Sequence, residues 1–440
     1  MMQYIPNILF LIALIAGIGY FVKNSRKVIR NINLGQKIGP VDHKKERWSN
    51  VMRIALGQSK MVVRPVSGIL HIFVYVGFVV INIEVLEIII DGLFGTHRIF
   101  SGLGVIYNGL IASFEILAVL VLIGVIVFWI RRNMIRIKRF WNPEMKGWPK
   151  NDANFILYFE MVLMTLFLIM NATDHQLQII GAPHYNEAGM FPVSQFLLPL
   201  FESYSEATLI IIERCAWWLH IIGILIFLNY LYFSKHLHIL LAFPNVFFGK
   251  IAPKGQFKNL ESVTNEVKMM MDPNVDPFAA PAEGAEVPAK FGASDVMDLN
   301  RIQLLNAYTC TECGRCTSEC PANQTGKKLS PRKIMMDTRD RLEEVGKNID
   351  SNGEFKLDDK QLLDDYISRE ELWACTTCNA CVEACPVSID PLSIIMDMRQ
   401  YLVMEQSAAP NELNVTMTNI ENNGAPWPFN QMDRLNWKNE

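Results

Sequence analysis

The sequence predicts a mainly α-helical protein in which a five-helix transmembrane bundle is followed by a soluble, cysteine-rich α-helical domain. Half of its 440 residues are hydrophobic, and the mean hydropathy is +0.17. Such a chain is more apolar than an ordinary soluble protein of this length. The long apolar runs all lie before about residue 245, whereas eight of the nine cysteines lie after it. These observations indicate two parts with different solvents.

Five apolar stretches are long enough to cross a hydrocarbon core, which requires about 20 residues of helix. They cover residues 8–22, 67–90, 103–130, 153–172 and 207–233. The first stretch is short, but nothing basic precedes it and no small-residue cleavage site follows it. The basic sequence KNSRKVIR comes directly after it. We therefore expect an uncleaved membrane span rather than a signal peptide, with the N-terminus outside.

The basic residues between the spans predict the orientation of the bundle in the membrane. Residues 23–64 hold eleven lysines and arginines, and residues 131–150 hold seven. Only Arg98 lies between the second and third spans, and residues 173–206 contain no lysine or arginine. By the positive-inside rule the first and third connections are cytoplasmic. Five crossings then place the C-terminal part in the cytoplasm, which predicts a multi-pass protein of the cytoplasmic membrane.

The same basic runs are interpreted as determinants of topology and as contacts with anionic membrane lipid. The formal net charge is only -3. No surface of interleaved aromatic and basic residues is evident in the soluble part. Nucleic acid is therefore not an expected partner.

The sequence CTECGRCTSECP begins at Cys310, and its pattern C-x2-C-x2-C-x3-C-P recurs as CTTCNACVEACP from Cys375. The cytoplasm is reducing, so eight clustered cysteines there are not expected to form disulfides. Three thiolates at these intervals can hold one [4Fe-4S] cluster, while the fourth reaches the neighbouring cluster. The first predicted ligand set is Cys310, Cys313, Cys316 and Cys385. The second is Cys375, Cys378, Cys381 and Cys320.

Structural zinc is the alternative for these cysteines, but it typically uses two separate pairs of ligands. The duplicated run of four, with proline after each, favours two iron-sulfur clusters. Cys215, the ninth cysteine, lies within the fifth span, and we expect it to be a small buried hydrophobic residue.

Helix-capping signals surround the cysteine runs. Ser330 before Pro331 and Asp390 before Pro391 each predict a helix start. Ser368 and Glu371 predict a capping box. The proline- and alanine-rich residues 270–288 predict a linker or a surface strap.

The predicted domains are a membrane domain at 1–245, a linker at 246–297, a two-cluster ferredoxin-like domain at 298–405 and a C-terminal tail at 406–440. We expect the tail to bind a partner.

Histidines in the spans are candidate haem ligands, because buried ionisable groups in membranes are costly and tend to be functional. His220 and His238 are 18 residues apart, so one continuous helix would place them on the same face, about 27 Å apart. His71 lies near the cytoplasmic start of the second span, at the predicted depth of His238. A haem b held by His71 and His238 is the favoured interpretation. The alternative is that His71 hydrogen-bonds in a polar helix seam. His236 is expected to point away.

His220 has two candidate partners, His175 and His97, and binding of a quinone by His220 alone is an equally reasonable role. Four acidic residues in the spans are candidates for proton transfer to a quinone, although most are expected to be interfacial or paired. They are Glu84, Glu87, Glu115 and Glu160. Glu213 and Arg214 are expected to form a local ion pair.

The chain resembles known electron-transfer proteins. Through its five spans and His71, His220 and His238, the membrane half is similar to the haem-b gamma subunit of respiratory nitrate reductases and to the membrane subunit of heterodisulfide reductases. Through AYTCTECGRCTSECPANQTGKKLSPRKIM and LWACTTCNACVEACPVSIDPLSIIMDMRQYLV, the soluble half resembles membrane-bound iron-sulfur oxidoreductases. These are related to heterodisulfide reductase, to the iron-sulfur subunit of anaerobic glycerol-3-phosphate dehydrogenase and to electron-transfer-flavoprotein:quinone reductases.

Two departures from these families affect the expectations. Nitrate-reductase-type anchors carry a second histidine further along the second helix, where Ile81 and Asn82 stand here. A second haem is therefore in doubt. Fused relatives also continue into cysteine-rich CCG domains, which this sequence lacks. The resemblance thus implies that a separate cytoplasmic CCG-domain subunit or flavoprotein, such as an electron-transfer flavoprotein, acts as partner.

The resulting functional hypothesis is a membrane oxidoreductase subunit with no nucleophile, phosphate loop or dinucleotide fingerprint of its own. It would relay electrons between a cytoplasmic partner, two [4Fe-4S] clusters, haem b and the quinone pool. One rival is a quinol-driven, heterodisulfide-reductase-like donor to a CCG-domain partner. The other is a non-catalytic, redox-sensing membrane anchor. The direction of electron flow stays open, because cluster potentials depend on hydrogen bonding and exposure.

Overall fold

The computed structural model describes residues 4–253, 255–257, 259–273 and 290–439. Most of the predicted linker at 270–288 lies outside these residues. Within the described part the chain is helical and contains no β-strand. The predicted mainly α-helical class is therefore confirmed.

The first half of the chain contains five long apolar helices that are long enough to cross a membrane, as predicted. Including two short helices, the α-helices of this half are α1 (Ile5–Asn33), α2 (Lys44–Asn50), α3 (Pro65–Phe94), α4 (Val105–Asn133), α5 (Trp148–Ile179), α6 (Glu206–Tyr230) and α7 (His238–Phe248). Of these, α2 and α7 are too short to span. Helices α1, α3 and α5 extend beyond both ends of the apolar stretches that predicted them, because polar turns continue the helix outside the hydrocarbon region.

Helices α3, α4, α5 and α6 pack as consecutive neighbours, and α1 lies against α3 and α6. Lipid tails are as apolar as these side chains, so close packing rather than hydrophobicity holds the helices together. At Gly77, a Cβ atom would come within 2.4 Å of the Val121 side chain. The glycine therefore permits the close approach of α3 to α4.

The chain does not continue as one helix from His220 to His238. Helix α6 ends at Tyr230, and Ser234 is extended with φ -118° and ψ 150°. The Ser234 hydroxyl accepts a hydrogen bond from the His236 amide, and α7 begins only at His238. The expectation that His220 and His238 share one helix face is therefore wrong. The physical reason is that the Ser234 side chain caps a new turn.

The second half of the chain consists of shorter helices around the two cysteine runs. They are α8 (Glu261–Met271), α9 (Arg301–Thr309), α10 (Arg315–Glu319), α11 (Pro321–Gln324), α12 (Pro331–Asn352), α13 (Leu362–Asp365), α14 (Arg369–Trp373), α15 (Ala380–Ala384), α16 (Pro391–Met404) and α17 (Asn411–Asn423).

The predicted caps at Ser330, Ser368 and Asp390 are confirmed, since each side chain accepts a backbone N–H of the following helix. The bounds of the domains stay a prediction.

The helices of the second half rest on the membrane bundle. Their core is continuous with the ends of α1, α5 and α6, through residues such as Val28, Ile156 and Phe227. The basic connections that follow α1 and α4 lie on this side and bind the second half. Arg64 contacts Glu319 at 2.7 Å, for example. The role of these basic runs therefore includes docking of the second half, beyond the expected topology and lipid contact.

Candidate metal centre

The first cysteine run forms a loop in which two residues adopt left-handed backbone angles. Glu312 has φ 54° and Gly314 has φ 71°. These angles turn the chain on either side of Cys313, and the short helix α10 then carries Cys316. The loop therefore curves back on itself and directs its thiols toward a common centre.

The second run repeats this geometry at equivalent positions. Thr377 and Asn379 have φ 55° and 60° on either side of Cys378, and helix α15 carries Cys381. Asparagine tolerates the left-handed region better than most residues. The glycine after Cys313 and the asparagine after Cys378 therefore indicate, from the sequence, a left-handed turn after the second cysteine of each run. The spacing of the cysteines alone does not give this information.

The two runs interlock through α10 and α15, which pack against each other. Cys310, Cys313, Cys316 and Cys385 line one cavity, and Cys381 also reaches it. Cys320, the last cysteine of the first run, lies near the second run, where it acts electrostatically on Cys375 and on Cys381. The structure thus brings the fourth cysteine of each run to the other run, as the spacing suggested.

The chemistry of the thiols fits an iron-sulfur cluster. The thiols of the first group face a shared cavity, as the separate corners of a cubane require. Burial raises the pKa of Cys310 to about 12 and that of Cys385 to about 11. Such thiols are poor free nucleophiles, and a bound metal would stabilise their deprotonated form.

The first run is fixed to the membrane bundle by buried polar contacts. The Arg315 guanidinium donates to the carbonyl oxygens of Lys60 and Met61, at 3.1 and 3.2 Å. Glu312 accepts from Arg339 at 2.8 Å and also pairs with Lys235. Burial alone would raise the pKa of Glu312, but these two cations hold it below its ordinary value. The carboxylate therefore stays ionised and links the run to the segment between α6 and α7.

His71 and His238 lie in the same region as the first run, close enough to act on each other electrostatically. Arg315 acts on His71 in the same way. The Nδ1 atom of His71 is buried without a hydrogen-bond partner among the described residues. The Nδ1 atom of His238 lies 3.1 Å from the Lys235 carbonyl oxygen. Metal-ligating histidines commonly donate one ring N–H to a carbonyl, which leaves the other nitrogen for the metal.

His236 does not point away from this group, contrary to the prediction. Its ring centroid is 5.3 Å from that of His238, and its Nε2 atom lies 3.8 Å from a Glu160 carboxylate oxygen. The break at Ser234 is the cause, because it resets the direction of the side chains that follow. Burial, together with the nearby His238 and His71, lowers the pKa of His236 well below its ordinary value.

His220 is buried within the bundle, and its Nδ1 atom lies 3.0 Å from the Leu163 carbonyl oxygen. Its expected partners have other contacts. His97 binds Asp174 at 2.9 Å, and the His175 ring stacks on Phe191. The Nδ1 contact of His220 is therefore of the kind that a metal-ligating histidine makes, whereas His97 and His175 have the contacts given above.

One other expectation in the spans is corrected. Cys215 is exposed on the bundle surface rather than buried, because its side of α6 faces outward. Glu84, Glu87 and Glu115 are all buried. Glu87 and Glu115 accept hydrogen bonds within the bundle, which is the paired alternative of the expectation. The expected ion pair between Glu213 and Arg214 is present.

The comparisons with known proteins agree with this geometry. Residues 309–389 match the 4Fe-4S dicluster domain family. The chain is 29% identical to the probable iron-sulfur-binding oxidoreductase FadF of Bacillus subtilis over 98% of its length, and 26% identical to EtfAB:quinone oxidoreductase of Syntrophomonas wolfei over 94%. One subunit of the ferredoxin- and F420H2-dependent CoB-CoM heterodisulfide reductase of Methanosarcina acetivorans is 29% identical over 29% of the chain and 66% of the relative.

The chain spans 61% of the length of FadF and 55% of that of the EtfAB:quinone oxidoreductase. No solved structure is significantly similar to it. The fold and the site therefore define a class: a helical protein with five apolar, span-length helices followed by a 4Fe-4S dicluster domain. This protein is similar to iron-sulfur oxidoreductases and to heterodisulfide reductase subunits.

Proposed function

We propose that the protein is a membrane electron-transfer subunit that relays electrons between a soluble redox partner and the quinone pool. The observation that carries the proposal is the position of the first cysteine run. It is held against the membrane bundle by Arg315, whose charge also acts on His71. Electrons would leave the dicluster domain at this junction and enter the membrane part.

In the proposal each cluster is held by three cysteines of one run and the last cysteine of the other. The first set is Cys310, Cys313, Cys316 and Cys385, and the second is Cys375, Cys378, Cys381 and Cys320. Cys378 is exposed, whereas Cys310 is buried beside the membrane part. The second cluster is therefore the one positioned to exchange electrons with a soluble partner, and the first with the membrane.

His71 and His238 are the proposed ligands of a haem b, which would supply one-electron transfer between the first cluster and the interior of the bundle. The orphaned Nδ1 of His71 and the carbonyl-bound Nδ1 of His238 support this assignment. His220 carries the same Nδ1-to-carbonyl contact. We assign it either to a second haem or to the quinone.

The partner in this proposal is an electron-transfer flavoprotein or a separate CCG-domain subunit, in contact with the cytoplasmic domain and the tail at 406–440. The name of the EtfAB:quinone oxidoreductase supports the flavoprotein and the quinone. Similarity to heterodisulfide reductase subunits supports a second candidate, in which quinol drives the same path in reverse toward a CCG-domain partner.

The test is a pyridine haemochrome assay with an iron count on the purified protein and its histidine variants. Two [4Fe-4S] clusters predict about eight non-haem irons per chain. We expect His71→Ala and His238→Ala to lose haem b and to keep these irons. The neighbouring His236→Ala and the exposed His43→Ala should keep both cofactors.

Eight irons without haem in the unaltered protein would overturn the haem assignment and leave an iron-sulfur membrane anchor. Loss of haem in His236→Ala but not in His238→Ala would show that His236, and not His238, is the haem ligand.

A further inference from the structure

A cavity of about 360 Å³ lies at the end of the bundle opposite the cysteine runs. It is enclosed by the start of α1, the end of α3 and the start of α6. Phe10, Trp217 and Trp218 provide apolar surface, while the remaining lining is rich in ionisable groups. This size and this mixture are typical of a small-molecule site.

Most charges around the cavity already have partners. Asp174 binds both Arg98 and His97, at 2.5 and 2.9 Å. Glu213 pairs with Arg214, and Asp91 accepts the backbone N–H of Arg98 at 2.8 Å. These charged groups are therefore already engaged with one another or with the backbone.

Two lining residues keep a polar atom without a partner in the described part of the chain. The Oε2 atom of Glu84 and the Nδ1 atom of His97 are both buried and make no hydrogen bond there. Glu84 is only 3% exposed. Buried polar atoms are nearly always hydrogen-bonded, and an orphan costs free energy. Two orphans in one cavity therefore point to a ligand that carries two polar atoms.

We propose that this cavity binds the ring of a quinone, with Glu84 and His97 as the groups that contact its oxygens. The inference rests on the proposed function and gives it a substrate site. A quinone is flat and apolar, apart from oxygens at opposite edges of its ring, which matches an aromatic lining with two separate polar groups. Phe10 of α1 lines the cavity, and Ile8 and Ile12 of the same helix are exposed apolar side chains that would suit contact with the apolar tail of the ligand.

The two side chains can serve both oxidation states of the ligand. Reduction of a quinone consumes two electrons and two protons and forms one O–H bond at each ring oxygen. The electrons arrive singly by the proposed cluster and haem path, and the protons come from the Glu84 carboxyl and the His97 imidazolium. Oxidation of the quinol returns both protons to the same groups. Asp174 holds Nε2 of His97, so Nδ1 is free to donate or to accept.

The cavity is also within reach of the proposed electron path. Trp217 lines it, and His220 lies three residues further along α6, about 4.5 Å along the helix axis. A redox centre held by His220 would therefore lie near this end of the proposed electron path.

The experiment measures binding of 2,3-dimethyl-1,4-naphthoquinone to the full chain in lipid nanodiscs, by quenching of tryptophan fluorescence. Glu84→Leu and His97→Phe are each expected to weaken binding about tenfold, because both substitutions remove every hydrogen-bonding atom of the side chain. The matched control is Glu202→Leu, which removes an exposed carboxyl group at the same end of the bundle and should bind as the unaltered protein does. Iron content and the unfolding temperature check that each variant is folded.

The possible results distinguish a failure of the cavity assignment from a failure of the proposed function. Binding by the unaltered protein and equally by both variants would overturn the cavity assignment and leave the proposed function standing. No binding by the unaltered protein would overturn both, although an iron count near eight would keep the cluster assignment. A photoreactive azidonaphthoquinone gives a readout that needs no variant. Labelling of α1, α3 or α6 at the cavity supports the site, and labelling elsewhere overturns it.

Discussion

Arg315 lies between Cys313 and Cys316, two of the predicted cluster ligands, and it also contacts the membrane part. It is only 5% exposed, and its guanidinium donates to the Lys60 and Met61 carbonyl oxygens. The charges of Cys313 and Cys385 act on it. A fixed positive charge at this place stabilises the more negative, reduced state of a neighbouring cluster.

We predict that Arg315→Gln lowers the reduction potential of the first cluster. At an effective dielectric constant of about 20, a unit charge about 7 Å away contributes roughly 2 kcal/mol. For one electron this equals a shift on the order of 100 mV. The measurement is a redox titration of the purified protein followed by electron paramagnetic resonance. Arg315→Lys, which keeps the charge, should shift the potential by much less.

Arg399 provides the matched control at the second cluster. It donates to the Cys375 carbonyl oxygen at 2.6 Å, and its charge acts on that thiol. Arg399→Gln should therefore shift the second cluster and leave the first unchanged. Equal shifts of both clusters in both variants would show that neither arginine acts locally.

The two cysteine loops are the elements in which sequence and structure agree most closely. Their spacing predicted which cysteines would meet, because the thiols of each loop are set by a few local backbone angles. The caps at Ser330 and Asp390 were predictable for the same reason. Ligand assignments at the histidines depend instead on contacts between distant segments, and they stay predictions.

Helix α6 shows where sequence reasoning failed. Its apolar pattern predicted a span to residue 233, and the spacing of His220 and His238 was interpreted as if the same helix continued to His238. The stop is a single side-chain contact at Ser234, and a lone serine is a weak signal. The prediction that Cys215 is buried was wrong for another reason. Residues that face lipid are as apolar as residues that face the bundle, so periodicity does not separate the two.

Gly314 allows a sharp test of the first loop. Its φ is 71°, and a Cβ atom there would lie 2.5 Å from Nη1 of Arg332. Arg332 is fully buried and is held by the Arg139 carbonyl oxygen and by Glu144, so it has no room to move away. We expect Gly314→Ala to lose the first cluster, with iron falling from about eight to about four per chain.

The control for backbone strain is Gly326→Ala. Gly326 has φ 82°, but a Cβ atom added there would meet no described atom within 4 Å. Its substitution should cost about 1 kcal/mol of stability through strain alone and should keep all the iron. Iron assays and unfolding temperatures of both variants distinguish loss of the first cluster from backbone strain. Equal iron content in the two would remove the steric argument.

At the scale of the whole molecule, charge joins the two halves of the chain. The sequence placed eighteen basic residues in two connections and assigned them to topology and lipid. The structure adds specific partners in the second half of the chain, among them Glu319 and Asp350. Such pairs were not predictable, because their members lie between about 250 and 320 residues apart. The unpaired buried atoms of Glu84 and His97 could not be predicted from the sequence either, because segments that are distant in the chain enclose them.

The last prediction concerns this docking. Arg332, from the second half, is fully buried and binds Glu144 of the connection after α4 at 2.7 Å. Removing one partner of a buried ion pair leaves an uncompensated charge, which is costly. We expect Glu144→Gln to weaken docking by about 2 kcal/mol, because glutamine keeps an acceptor but not the charge. Hydrogen–deuterium exchange at residues 134–147 should then increase, and electron transfer from the reduced clusters to the proposed haem should slow.

The control for this experiment is Glu46→Gln, which removes an exposed carboxylate from the other basic connection. It should change neither exchange nor electron transfer, because the ion pair of Glu46 with His43 is long and solvent-exposed. Faster exchange in Glu144→Gln with an unchanged electron-transfer rate would show that docking at Arg332 holds the two halves together without setting the distance from cluster to haem. Unchanged exchange would contradict the docking role itself.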